Sequence, residues 1–435
     1  MSPADFRRPL ETPVGQLPPQ PWRVAAPTQA LLAALTAGGA AVRFVGGCVR
    51  DAVRNRPIRD IDLATPEPPQ QVLERLAAAG LRGIPTGLAH GTVTALVDGL
   101  RFEITTLRRD IETDGRHARV VFTDDWIADA ARRDFTINAL SADPEGWIYD
   151  PFNGLADLGA GRVRFVGLPT QRIEEDALRL LRFFRFQAWF GRGSACDLDA
   201  LTACRRLAPR LAQLSGERIA AELFRLLLAE DPATTLVVMH ANAVLQVILP
   251  EAEDIPRLRQ LAWLERRGLV RPDLRPDPLR RLAALLPADP VAARAVAERF
   301  RLSAEDRTRL IALTVSDPAV PFDLTPAAFR HLLHRHGASR MRDRTLLAWA
   351  GWREGRLRPA AAESAVWIAR LDLAAQWLPR SLPIQGRDLL ALGLAPGPTV
   401  GRLLAAVESW WEEADFRPDR TDCLAEAQRR LESVA

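Results

Sequence analysis

The sequence predicts an α+β fold, with a small mixed α/β head followed by an elongated, all-helical neck, body and tail. Three observations lead there. Short apolar runs alternate with helix-like segments up to about residue 160, and a hairpin signal lies among them. From Thr170 onward nearly every segment has a helical period, rich in Leu, Ala and Arg and punctuated by Pro and Gly. The chain also has 435 residues, more than one ordinary core holds, so roughly two to four domains or subdomains are expected.

The elements follow in order. Residues 1–27 are proline-rich with little periodicity, which predicts a flexible tail. The head is assigned to residues 28–160. It opens with a helix from Thr28 to Ala37, stopped by Gly38-Gly39. An apolar run from Val42 to Val45 leads into Gly46-Gly47, then a helix-like segment carrying Arg50 and Asp51, then a strand holding Asp60 and Asp62. Thr65 is placed to cap a helix reaching about Ala79, with Gly80 just past its end. Thr92–Val97 and Leu100–Leu107 flank Asp98-Gly99, a type I′ turn signal whose register sets Thr94 opposite Glu103. Residues 161–229 form the neck, with one long helix predicted from Thr170 to Phe190 and another beginning near Ser215. Residues 230–435 form the body and tail, read as packed helices with solvated arginine faces.

The chemistry concentrates between residues 42 and 65. Side chains alternate across a strand, so Asp60 and Asp62 share one face while Ile61 and Leu63 take the other. Adjacent carboxylates repel unless a divalent cation lies between them. Mg²⁺ suits hard oxygen ligands and is often held by one or two carboxylates plus substrate phosphates. Gly46 and Gly47 lack Cβ atoms, so their turn can bring backbone N–H groups against a phosphate at the start of the next helix. A phosphate cradle beside paired carboxylates points to phosphoryl or nucleotidyl transfer.

Gly46-Gly47-Cys48-Val49-Arg50-Asp51, followed by Arg59-Asp60-Ile61-Asp62, resembles the nucleotidyltransferase signature of class II CCA-adding enzymes and bacterial poly(A) polymerases. Further matches lie at Arg101–Arg108, Arg132–Leu140, Asp150–Leu158 and Arg172–Phe186, and together they cover about the first half of the chain. The resemblance implies that Glu103 is a third acidic residue beside Asp60 and Asp62. It implies that Arg133 contacts nucleotide phosphates and that Asp134 and Asn138 lie near the ribose. Asp150 is assigned a structural corner.

In Arg172–Phe186 the side chains of Asp176, Arg179, Arg182 and Arg185 recur every three residues, a spacing that predicts a polar ribbon on a helix. The resemblance makes this segment a protein template. Asp176 and Arg179 would read the base edge, while Arg182 and Arg185 hold phosphate or order the template. Leu214–Ile219 resembles the next neck motif and is assigned structural support.

Composition fits that reading. The net charge is +4 with a pI near 9.3, compatible with a polyanionic partner. No lysine occurs, so every fixed side-chain cation is arginine. No apolar run is long enough to span a bilayer, and four scattered cysteines without metal-ligand spacing suit a reducing cytoplasm. His331, His334 and His336 do not share one helical face, and Trp410-Trp411 is expected to be a buried anchor before a base-stacking platform.

The implied function is addition or repair of the 3′-terminal CCA of tRNA from CTP and ATP, by two-metal, in-line attack with release of pyrophosphate. Gly46, Gly47, Arg50 and Arg133 would bind the triphosphate, and the helical C-terminal half would grip tRNA through backbone phosphates. A poly(A) polymerase of the same fold is the nearest alternative, and a catalytically inactive RNA-binding protein is the alternative from another class. Arg108–Asp125 resembles the flexible loop of the CCA-adding side, which favours that branch.

Overall fold

The chain is described by a computed structural model at residues 12–58, 60–114, 117–191, 196–268, 274–356 and 360–432. Arg59 and part of the 108–125 loop lie outside these residues. The α+β architecture is as expected. Two compact units divide at Pro250/Glu251, so the helices Pro232–Ala241 and Leu245–Ile248 belong with the head and neck and not, as the sequence suggested, with the body.

The first unit is built on an eight-stranded mixed sheet in the order β1-β10-β9-β2-β3-β6-β5-β4. Its strands are β1 (Gly15–Gln16), β2 (Arg43–Val45), β3 (Ile61–Thr65), β4 (Arg82–Gly87), β5 (Thr92–Val97), β6 (Leu100–Thr106), β9 (Ser141–Ala142) and β10 (Trp147–Tyr149). A separate antiparallel ribbon pairs β7 (Arg108–Asp114) with β8 (His117–Phe122). The hairpin forms as read: Asp98 and Gly99 take positive φ of 49° and 78°, and Thr94 faces Glu103. β3 runs parallel to β6 with Asp62 beside Glu103, so these two side chains emerge on the same side of the sheet.

Three expectations need correction. Residues 12–27 are not a loose tail, because β1 adds to the sheet edge beside β10, Leu17 is buried, and Trp22 packs edge-on against Phe44. Thr65 caps no helix. It ends β3, its hydroxyl accepts from the Glu67 N–H, and the helix starts at Pro69 behind Pro68.

The long helix is also broken. Pro169–Glu175 and Leu178–Phe190 are separate, because Asp176 is extended at φ −151°, ψ 109°. Its carboxylate accepts from the Leu178 N–H, the competition with helical bonding that makes Asp a poor interior residue. The four-residue ribbon is therefore interrupted after its first member.

Phenylalanines fasten the Leu178–Phe190 helix to the head. Phe135 lies 4.9 Å from Phe165 and 5.1 Å from Phe186, and Phe165 stacks on Phe183 at 5.7 Å. The 150–158 corner is structural, as expected: Asp150 accepts from the Gly154 and Leu155 N–H groups. There the backbone passes so close that a Cβ on Gly154 would sit 2.2 Å from the Thr136 carbonyl oxygen.

The second unit is helical throughout its described residues. Its helix starts are written in Asp or Thr N-caps followed by proline, at Asp254, Asp277, Asp289 and Thr325. Its arginines are not all solvated. Arg280 and Arg281 are buried and share Glu265, and Arg280 also reaches Asp343 at 2.6 Å. Trp411 is a buried anchor whose indole N–H donates to the Pro418 carbonyl.

Gly154→Ala is expected to destabilise the first unit by about 1–3 kcal/mol, the range for overpacking. Gly159→Ala, in the same helix with no atom near its would-be Cβ, should be neutral or slightly stabilising. Paired urea titrations measure the contrast, and equal midpoints would refute the close-approach argument.

Candidate active site

β2 ends at Val45, and the chain turns through Gly46 into the Gly47–Val53 helix. Gly46 has φ +68°, and a Cβ there would stand 2.8 Å from an Arg133 guanidinium nitrogen. Glycine is thus required twice, for the backbone and for the approach of Arg133. Past the turn, Arg50 donates to both oxygens of Asp51 at 3.0 and 2.8 Å and to Asn138 Oδ1 at 2.5 Å. Arg133 is steadied by Asp129 at 3.2 Å, a buried carboxylate that also binds Arg132.

Gly46, Gly47, Arg50, Asp62, Arg133, Asp134, Asn138, Asp176, Arg179 and Arg182 line one cleft of about 460 Å³, with Leu178 and Phe186 completing the wall. Asp60 and Glu103 stand beside Asp62 as exposed groups. Arg185 is not in the cleft wall. It points to buried Glu222 on the Gly216–Leu227 helix, 2.6 Å away, and burial lowers its pKa to about 10. Of the two expected roles, its pairing with Glu222 fits the ordering one.

Asp62 is electrostatically unlike the rest of the cleft. Burial, then the charges of Glu103 and Asp60, push its pKa up to about 6, against a partial opposing pull from Arg133. Such a group gains from a divalent cation. Asp134, by contrast, is saturated. It accepts from its neighbour's Phe135 N–H, from Asn138 Nδ2 at 2.9 Å and from Arg182 Nε at 2.7 Å. Burial alone would raise its pKa, but Arg182, Asn138 and the backbone bond outweigh it and hold the carboxyl below the usual range.

Asp176 and Arg179 are held from behind. Arg218 donates to both oxygens of Asp176 at 3.1 and 2.9 Å, and Arg179 is paired with Glu175 while donating to the Arg172 carbonyl at 3.1 Å. Sequence reasoning gave no role to Glu175, Glu222 or Phe186, and gave Arg218 structural support without a partner. Glu175 adjoins Asp176 and could have been found. Arg218 and Glu222 could not, because their partners lie about one helix hairpin away in sequence.

Residues 42–164 match the family model described as Poly A polymerase head domain, and residues 197–255 match that described as Probable RNA and SrmB-binding site of polymerase A. The chain is 33% identical over 399 residues to the mitochondrial CCA tRNA nucleotidyltransferase 1 of Mus musculus, covering 88% of this chain and 86% of that protein. It is 29% identical over 409 residues to the CCA-adding enzyme of Limosilactobacillus fermentum, covering 94% and 97%. The fold superposes on the crystal structure of the Bacillus stearothermophilus CCA-adding enzyme in complex with CTP, with TM-score 0.73, 26% identity, and coverage of 94% and 99%.

Because the Asp62 pKa is raised from 3.8 to about 6, its ionised form destabilises the metal-free fold above pH 6, and that penalty fades as pH falls through 6 toward 3.8. Asp62→Asn should therefore stabilise metal-free protein by on the order of 1–3 kcal/mol at pH 8 and by less at pH 5. Thermal unfolding with chelator at both pH values tests this, and a variant less stable than wild type at pH 8 contradicts it.

Proposed function

Because the chain belongs to the CCA-adding tRNA nucleotidyltransferase family, we propose that it builds or repairs the 3′-terminal CCA of tRNA from CTP and ATP without a nucleic-acid template. One observation carries the assignment of residues: the glycine turn, Asp62 and the Asp176/Arg179 pair line a single cleft. Phosphate binding, metal ligation and base reading can therefore act on one nucleotide.

Enzymes of this family use a metal, and Mg²⁺ is our choice for this chain. Asp60 and Asp62 would hold it, with Glu103 beside them, a donor set of hard carboxylate oxygens whose mutual repulsion already shows in Asp62. When bound, it would neutralise the triphosphate and make the tRNA 3′-hydroxyl more acidic. The Gly46-Gly47 turn admits the triphosphate against backbone, and Arg50 and Arg133 bind its charge. Their fixed partners Asp51, Asn138 and Asp129 hold both guanidiniums in place before substrate arrives. The 3′-hydroxyl attacks the α-phosphorus in line, and pyrophosphate leaves.

Nucleotide choice follows from hydrogen-bond polarity. Cytosine and adenine both present an amine donor next to a ring-nitrogen acceptor, while uracil and guanine present the reverse. A carboxylate accepts about four hydrogen bonds and a guanidinium donates five. The bonds of Asp176 to Leu178 and Arg218 leave it room for an amine, and Arg179 keeps N–H groups beyond those on Glu175 and Arg172. Asp176 and Arg179 thus present the edge that cytosine and adenine complete. Asp134 and Asn138, assigned to the ribose side, act here mainly on Arg182 and Arg50.

The second unit is proposed to hold tRNA through arginine–phosphate contacts, with domain limits of 12–160 for the head, 161–250 for the neck and 251–435 for body and tail. Among the described residues no helix is long and apolar enough to cross a membrane, and the four cysteines are free, which supports a reducing compartment such as the cytoplasm.

With tRNA lacking its CCA, Asp60→Ala and Asp62→Ala should abolish incorporation of both CTP and ATP while tRNA binding persists. Asp176→Ala and Arg179→Ala should raise UTP or GTP incorporation relative to CTP and ATP, since each lost base contact is worth about 1–3 kcal/mol. Loss of rate with unchanged selectivity would overturn the base-reading assignment. Equal extension of a generic RNA by wild type would favour the poly(A) reading instead.

A further inference from the structure

The second unit brings together three metal-ligating side chains that the transfer reaction does not use. His334 lies near the end of the Pro326–His336 helix, and Glu408 and Glu412 lie one turn apart on the Pro398–Glu413 helix. His334 Nε2 is 3.4 Å from Glu408 Oε1 and 3.6 Å from Glu412 Oε1, and the three ligand atoms lie within 4.8 Å of one another. We infer that His334, Glu408 and Glu412 form a zinc site that joins these two helices.

The distances favour an ion over a plain ion pair. A charge-assisted hydrogen bond is about 2.7–2.9 Å long, and both imidazole–carboxylate separations exceed that. Atoms bound to zinc at about 2.0–2.1 Å in a tetrahedron stand roughly 3.3–3.4 Å apart, close to both values. Charge points the same way. Glu408 and Glu412 sit at i and i+4, where like charges repel, and a divalent cation between them relieves that repulsion. Arg335 neutralises one of them from outside, donating to Glu412 Oε2 at 2.8 Å, and so leaves Oε1 turned toward His334.

The ligands are also pre-positioned. The His334 ring is held edge-on by Trp411 and Phe416, with centroids 5.9 and 5.2 Å away. Glu412 is nearly buried, while the Glu408 side chain is 44% exposed and gives the ion a way in and a water a place as fourth ligand. The helix contact would tie into the core formed by Val407, Trp411 and Phe416, so its role is to brace the second unit. His331 and His336, which do not share a helical face with His334, take no part in the grouping, whose other two members lie 74 or more residues further along the chain.

The test uses full-length protein stripped with chelator and desalted, with Zn²⁺ titrated into wild type, His334→Gln and Glu408→Gln by calorimetry, by thermal unfolding and by tryptophan fluorescence. The catalytic carboxylates are present in all three proteins, so their zinc uptake cancels. Wild type should bind one more Zn²⁺ per chain than either variant, gain thermal stability that both variants lack, and show a fluorescence change from Trp411. If His334→Gln does not fold, Glu408→Gln, altered at a half-exposed position, decides the matter alone. Equal stoichiometry and equal thermal shift in wild type and variant would overturn the site.

Discussion

Asp134 is a buried carboxylate, and burial obliges it to find partners for its charge. It takes a backbone N–H, the Asn138 amide and the Arg182 guanidinium. Each partner then reaches onward. Asn138 turns its oxygen to Arg50 and thereby joins the glycine turn, while Arg182 leans toward Glu222, which also takes Arg185. One chain of hydrogen bonds and ion pairs therefore runs from the glycine turn in the head to the Leu178–Phe190 helix. Removing one of its charged members would leave the partner charge uncompensated, at a cost of several kcal/mol where the partner is buried, so the chain holds its geometry as a unit.

The cleft has two electrostatic halves. On the side proposed to read the base the described charged groups are matched: Asp176 with Arg218, Arg179 with Glu175, and Arg182 with Asp134. On the chemical side Asp62 stands between Glu103 and Asp60 with only partial relief from Arg133. A selective surface benefits from being rigid before the base arrives, since misplacement by an ångström weakens discrimination. A metal-binding surface benefits from the opposite condition, in which the carboxylates are unsatisfied until a cation binds. In the proposed reading, the stability given up at Asp62 serves to hold the metal.

Much of this was legible in the sequence wherever the governing interaction is local. The Asp98-Gly99 turn sets the register that puts Thr94 opposite Glu103, and the parallel pairing of β3 with β6 then brings Glu103 beside Asp62. Gly46 was readable because a turn before a helix needs its φ. The helix break at Asp176 was not, because the three-residue spacing of Arg179, Arg182 and Arg185 continues through it unchanged. Only the bond from the Leu178 N–H and the extended backbone reveal it. Arg218 was assigned support without a partner and Glu222 was given no role, since nothing local marks which arginine a distant glutamate will neutralise. The proline-rich start was misread for a related reason, as a two-residue strand gains its stability from the sheet edge it joins.

The central claim is that this charge chain seats the Leu178–Phe190 helix, which carries Arg179 and follows directly on Asp176, so that groups outside the proposed base-reading pair still govern nucleotide choice. The most direct measurement is the ratio of kcat/KM for CTP over UTP, on tRNA lacking its CCA, in wild type and in Asp134→Asn and Glu222→Gln. Neither substitution changes Asp176 or Arg179, and both retain size while removing the charge that holds Arg182 or Arg185. The account predicts that the ratio falls in both variants. A uniform loss of rate for both nucleotides, with the ratio unchanged, would contradict it.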